Sequence, residues 1–223
     1  MAHLQSKNVT IKPNNTSIHC LAAQNLSCER GRRELFSDVA FSLNSGQSLI
    51  VTGENGSGKT SLLKILTGLS LAAEGAVLWD QQDIHHQAQS YQQQLLYIGH
   101  RAAVKTELTV RENLQLLLKL WPNELAMSIP ELAACVGLRK RLSVQCGRLS
   151  AGQQRRVALA RLFVAQQKLW ILDEPLTALD VEFIEAIEQQ LGRHLDNQGL
   201  LVLTTHRGIE IDPAKLIKLE LSR

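Results

Sequence analysis

The sequence predicts an α/β fold in which a mostly parallel sheet is interrupted by a helical insertion. Three observations predict it. Two wholly apolar runs, Leu169–Leu172 and Leu200–Leu203, suit central parallel strands buried on both faces. A glycine-rich turn at residues 53–60 follows a short apolar run and precedes a helical stretch. Between about residues 90 and 165 the signals are mostly helical.

The elements follow in order. Residues 1–18 are polar and Asn-rich and read as an N-terminal extension; residues 19–223 read as a single domain. Short apolar runs separated by turns, at 18–25, 35–43 and 48–52, predict strands near the N-terminus. A helix is predicted over 59–69 and a strand over 76–79. Thr109-Val110-Arg111-Glu112 has the form of a capping box and opens a Leu-rich helix. Ser128-Ile129-Pro130-Glu131 opens a second, ended by Gly137.

Composition excludes several classes. A net charge of +3 and a pI near 8.7 are too mild for a nucleic-acid binder, which carries a concentrated basic stripe. No apolar run reaches the length that spans a bilayer, and the first residues lack a signal peptide's apolar core, so a cytosolic chain is expected. Cys20, Cys28, Cys135 and Cys146 form no CxxC pair and read as free thiols. His85 and His86 read as solvated loop residues, and the three Asn-x-Ser/Thr sites carry no meaning without secretion.

Chemistry concentrates in two places. Gly53-Glu54-Asn55-Gly56-Ser57-Gly58-Lys59-Thr60, followed by Ser61, matches the P-loop pattern at every fixed position. Its glycines let the backbone curl so that N–H groups face phosphates, and the following helix adds its positive end. Lys59 is expected to reach the β- and γ-phosphates of ATP, and Thr60 to hold Mg²⁺. In Leu169-Trp170-Ile171-Leu172-Asp173-Glu174, two carboxylates end a buried strand, where open α/β sheets bind ligands. Asp173 is placed to hold Mg²⁺ and Glu174 to polarise the attacking water. The fold is therefore that of a P-loop NTPase with a RecA-like, mostly parallel sheet.

A third motif, Leu149-Ser150-Ala151-Gly152-Gln153, has capping-box form, S-x-x-Q, and so begins a helix whose free N–H groups suit an anion. It resembles the LSGGQ signature of ABC ATPases, with Ala151 in place of the first glycine. Thr177-Ala178-Leu179-Asp180 resembles the D-loop of that family, and Thr204-Thr205-His206 its switch histidine. The resemblance covers nearly all of residues 19–210. It implies the ABC type of fold, with antiparallel strands near the N-terminus and an inserted α-helical subdomain. It also implies a head-to-tail homodimer, in which Ser150, Ala151, Gly152 and Gln153 of one chain close over ATP held by the other and Asp180 touches the opposite chain. His206 is then expected to bond the γ-phosphate and hold Glu174 and the water in line.

Two departures stand out. The family's adenine-stacking aromatic has no counterpart in the stretch from Cys28 to Arg33, which leaves the Arg30 guanidinium as the stacking plane or the stretch as a solvated basic turn. His100 stands at the position of the family's Q-loop glutamine, where a neutral imidazole offers a lone pair toward the metal shell.

The wording of Tyr97-Ile98-Gly99-His100, Lys105-Thr106-Glu107-Leu108-Thr109 and Leu149–Leu162 is similar to that of the ATP-binding subunits of bacterial haem exporters serving c-type cytochrome maturation. That likeness implies integral membrane subunits as partners, docking near residues 100–108, and a peripheral place on the cytoplasmic face of the inner membrane. The rival readings are the ATPase of a different small ABC exporter and an ABC-type ATPase not linked to transport.

Overall fold

The computed structural model describes residues 19–222 apart from Arg32 and residues 121–126. The expected N-terminal extension lies outside the described residues. The described residues fall into two units. One comprises the residues up to Tyr97, Gln167–Asp173 and those from His194 onward. The other comprises Ile98–Gln166 and Glu174–Arg193.

The first unit carries two sheets. Strands β1 (Cys20–Arg30), β2 (Arg33–Asn44), β4 (Glu74–Trp79) and β5 (Gln82–Asp83) form an antiparallel sheet in the order β2-β1-β4-β5. Strands β3 (Ser48–Gly53), β6 (Leu95–Ile98), β7 (Leu169–Asp173), β8 (Leu200–Thr204) and β9 (Leu216–Leu221) form a second sheet in the order β6-β7-β8-β3-β9. Its β7–β8, β8–β3 and β3–β9 pairs are parallel. Every residue of β7 and β8 is buried, which accounts for their unbroken apolar runs. Helix α1 (Lys59–Leu66) sinks Leu62, Leu63, Ile65 and Leu66 into a core shared with Leu21, Phe41, Leu49, Val51, Leu169 and Ile171. Helix α2 (Ala88–Gln94) follows β5, and its buried Tyr91 donates a hydrogen bond to the Leu66 carbonyl at 2.6 Å.

The second unit is helical: α3 (Val110–Leu120), α4 (Ile129–Cys135), α5 (Ala151–Leu159) and most of α6 (Val181–Asp196). The capping boxes read from the sequence form. Thr109 and Glu112 exchange hydrogen bonds at the start of α3, and Ser128 and Glu131 do so at the start of α4. Gly137, at φ 69°, follows the end of α4.

The antiparallel sheet and the mostly parallel sheet bear out the expected fold class. Some boundaries differ. Helix α1 ends at Leu66, because Thr67 bonds back to the Lys64 carbonyl and Gly68 turns left-handed. Cys28–Gly31 and Arg33 belong to a hairpin: Arg30 of β1 pairs with Arg33 of β2, and Gly31 sits in the turn at φ 63°. Helix α6 and strand β9 carried no expectation.

Candidate active site

In the first unit, β3 runs into the glycine-rich turn and α1 leaves it. Gly58 is the N-cap of α1 at φ 100°, and a Cβ there would lie 2.9 Å from the Phe36 ring, so only glycine fits. The side chain of Lys59 is largely buried and folds back, donating to the carbonyls of Gly53 at 2.7 Å and Glu54 at 3.1 Å. Ser57 is buried, and its hydroxyl has no hydrogen-bond partner among the described residues. No side chain caps the N-terminus of α1. An orphaned buried hydroxyl, an uncapped helix start and an adjacent lysine form a cradle that a phosphate group satisfies.

Three residues from separate elements meet beside that cradle. Thr60 Oγ1 donates to Asp173 Oδ2 at 2.8 Å, and Thr204 Oγ1 donates to Asp173 Oδ1 at 2.8 Å. The parallel register sets Asp173 directly opposite Thr204. The Thr60 hydroxyl and the Asp173 carboxylate are hard oxygen donors side by side. They fit Mg²⁺, which takes few protein ligands and completes its shell with water and phosphate oxygens. The sequence reading named Thr204 only within the Thr204-Thr205-His206 stretch and gave it no role at Asp173; a hydroxyl ending the apolar run Leu200–Leu203 was its signal. His206 lies exposed just beyond β8, and with Gly53, Thr52, Arg207, Ile209 and Lys218 it lines a cleft of the same unit. Arg30 is exposed at the hairpin end.

The second unit holds the other expected residues. Ser150 caps α5, accepting from the Gln153 N–H at 3.2 Å while the Gln153 side chain accepts from the Ser150 N–H at 3.3 Å. Ser150 and Ala151 are exposed. Gly152 packs against the Ala178 carbonyl, which a Cβ would approach to 2.6 Å. The signature turn and the 177–180 loop therefore touch. Asp180 caps α6 by accepting from the Phe183 N–H at 3.0 Å, and it pairs with Arg156, whose guanidinium also lies 4.5 Å over the Phe183 ring. The Phe183 amide and then Arg156 hold the Asp180 carboxyl below its usual range. Glu174, half-buried, follows β7 at φ 48° and its carbonyl accepts from Arg155. His100 is exposed, and its carbonyl also accepts from Arg155. Arg155 falls inside the Leu149–Leu162 stretch, to which the sequence assigned no such role; among neighbouring arginines nothing local marks the buried one.

The same unit also carries an apolar groove. It is lined by Ala103, Val104 and Lys105 together with Leu116, Leu117 and Leu120 of α3 and Arg161. Leu120 is 71% exposed there. Asn113 staples the preceding turn to α3, accepting from the Lys105 N–H at 2.8 Å and donating to the carbonyls of Lys105 at 2.9 Å and Thr109 at 3.0 Å.

A phosphate cradle at a strand–turn–helix, an adjacent Thr–Asp oxygen pair and a capped signature helix define an ATP-binding cassette. The ABC transporter family model matches residues 36–177, and the chain belongs to that family. The cytochrome c biogenesis ATP-binding export protein CcmA of Escherichia coli K12 is 43% identical over 203 residues, covering 91% of this chain and 97% of the relative. The protein of the same name from Shigella boydii shows the same identity and coverage. Among solved structures, an ATP-binding subunit of an ABC transporter superposes with a TM-score of 0.71 at 26% identity, covering 83% of this chain and 79% of that one. The ATP-binding cassette MJ0796, in a dimeric post-hydrolysis state with ADP and Pi, shares the fold at TM-score 0.71 and 23% identity, covering 91% and 97%.

Proposed function

We propose that this chain is the ATP-hydrolysing subunit of an ABC complex serving c-type cytochrome biogenesis, with haem as the exported or delivered group. The observation that carries the hydrolytic reading is the Asp173 carboxylate, held between Thr60 and Thr204 at the end of a buried strand and followed at once by Glu174. The likeness to CcmA over nearly the whole length of that relative supports the biogenesis role.

Each residue has a task. Lys59 leaves the Gly53 and Glu54 carbonyls to bind the β- and γ-phosphates, and the Ser57 hydroxyl and the turn's N–H groups hold phosphate oxygens. Thr60 and Asp173 hold Mg²⁺, which when bound offsets phosphate charge. Glu174 takes a proton from water as the water oxygen bonds to the γ-phosphorus. The bond from that phosphorus to the β,γ-bridging oxygen breaks, and ADP keeps the electron pair. His206 bonds the γ-phosphate and holds Glu174 and the water in line. His100 stands at the position of the family's Q-loop glutamine.

Two chains act head to tail. Ser150, Gly152 and Gln153 of one close over ATP on the other, and Asp180 touches the opposite chain. The groove beside Lys105 and Leu120 receives a short cytoplasmic helix of an integral membrane subunit. Among the described residues no helix is long and apolar enough to cross a membrane, and membrane partners hold the chain at the cytoplasmic face of the inner membrane. Purification of the tagged chain from membranes in mild detergent tests this reading. Co-purification of membrane subunits from a cytochrome c biogenesis operon is expected, and recovery of subunits of an unrelated exporter contradicts it.

A further inference from the structure

Arg155 belongs to α5, the helix that Ser150 caps, and its side chain is only 5% exposed. Nη1 donates to the carbonyls of Gly99 at 2.8 Å and His100 at 3.2 Å, while Nη2 donates to the carbonyl of Glu174 at 3.0 Å. Carbonyls from two segments far apart in the chain thus converge on one guanidinium. Burying a cation is costly, and an apolar side chain fills the same space at lower cost. What a guanidinium adds is geometry: a rigid planar fork that spans two acceptors at fixed separation. A lysine ammonium is a point charge on a flexible stem and does not reproduce that span.

The backbone that Arg155 holds is itself unusual. Glu174 sits at φ 48°, in the left-handed region that side-chain-bearing residues rarely occupy. Such a conformation persists where the surroundings over-determine it, and these carry strain that can serve a mechanism. A carboxylate that must meet one water depends on the direction its backbone gives it, and small misplacements cost rate heavily.

We propose that Arg155 is a positioning residue for ATP hydrolysis. It fixes the Glu174 backbone against the His100 loop and ties both to the signature helix, so that the base is aimed and the helix start and the base move together. The proposal rests on the reading of Glu174 as the base.

The test compares the full-length chain with Arg155→Lys, Arg155→Gln and Glu174→Gln, measuring kcat, KM for ATP, ATP affinity and melting temperature. For both Arg155 variants kcat is expected to fall about tenfold or more, with KM and ATP affinity within about twofold of the parent and a folded protein. Parental kcat in Arg155→Lys overturns the proposal. So does a loss of kcat that comes, in both variants, with an equal loss of ATP affinity or of the folded state, because Arg155 is then structural only. Glu174→Gln separates the two readings. If it alone keeps parental turnover, the base assignment fails; if it is inactive while Arg155→Lys is parental, only the role of Arg155 fails.

Discussion

Thr60 and Asp173 lie 113 positions apart in the chain and share a 2.8 Å hydrogen bond, with Thr204 holding the other carboxylate oxygen from the adjacent strand. A buried carboxylate oriented by hydroxyls on both sides fits the metal-ligand role proposed for Asp173. Thr204→Val removes one of those hydroxyls and keeps the shape. Partners that orient a ligand typically contribute tenfold or more to metal affinity. The Mg²⁺ concentration giving half-maximal ATPase should therefore rise about tenfold in Thr204→Val. An unchanged Mg²⁺ titration would assign the bond to packing alone.

A second prediction concerns pH and stability. His194 stacks on Trp170 with ring centroids 3.8 Å apart and planes 9° from parallel, and its Nε2–H donates to the Leu200 carbonyl at 3.1 Å. Burial lowers its pKa from 6.5 to about 4, the hydrogen bond to Leu200 opposing and the Lys168 charge assisting. The unfolded chain, with the higher pKa, takes up the proton first. The neutral form's stabilising contribution is complete above pH 6.5, declines as pH falls toward 4 and levels off below. At about 1.4 kcal/mol per unit the decline amounts to roughly 3 kcal/mol. Urea unfolding between these limits should show it, and His194→Phe should flatten the slope by that amount. Parallel slopes in the two proteins would remove His194 as its source.

The third prediction concerns the dimer. Glu174→Gln with ATP should elute as a dimer in gel filtration, because in the proposed head-to-tail arrangement the γ-phosphate bridges Lys59 of one chain and Ser150 of the other. Adding Ser150→Arg should restore the monomer, since a long cation at an exposed cap blocks that approach. A dimer that survives Ser150→Arg refutes the head-to-tail arrangement.

Docking gives the fourth prediction. Lys105→Glu and Leu120→Glu change the charge and apolarity of the groove beside α3. Both should release the chain from membranes and leave its intrinsic ATPase within about twofold, because surface substitutions away from special features act weakly. Unchanged membrane association in both variants would exclude the groove.

The glycine-rich turn, the buried strands and the capping boxes at Thr109, Ser128 and Ser150 were legible because local chemistry dictates each of them. The meeting of Thr60, Asp173 and Thr204 was legible only in part: it needs the register of two parallel strands far apart in sequence. Strand β9 alternates buried and exposed positions irregularly, and α6 mixes apolar and charged residues without a helix-start signal as plain as the three boxes. Arg155 was invisible among Arg155, Arg156 and Arg161, because burial of a long cation depends on which carbonyls the fold brings to it.

The central claim is that the chain hydrolyses ATP with Glu174 as base, and it is tested most directly by single-turnover hydrolysis of Mg²⁺-ATP by the parent chain and by Glu174→Gln. Phosphate release by the parent, with a loss of about a hundredfold or more in Glu174→Gln at unchanged ATP binding, is the predicted result. Hydrolysis by Glu174→Gln at the parental rate would contradict it.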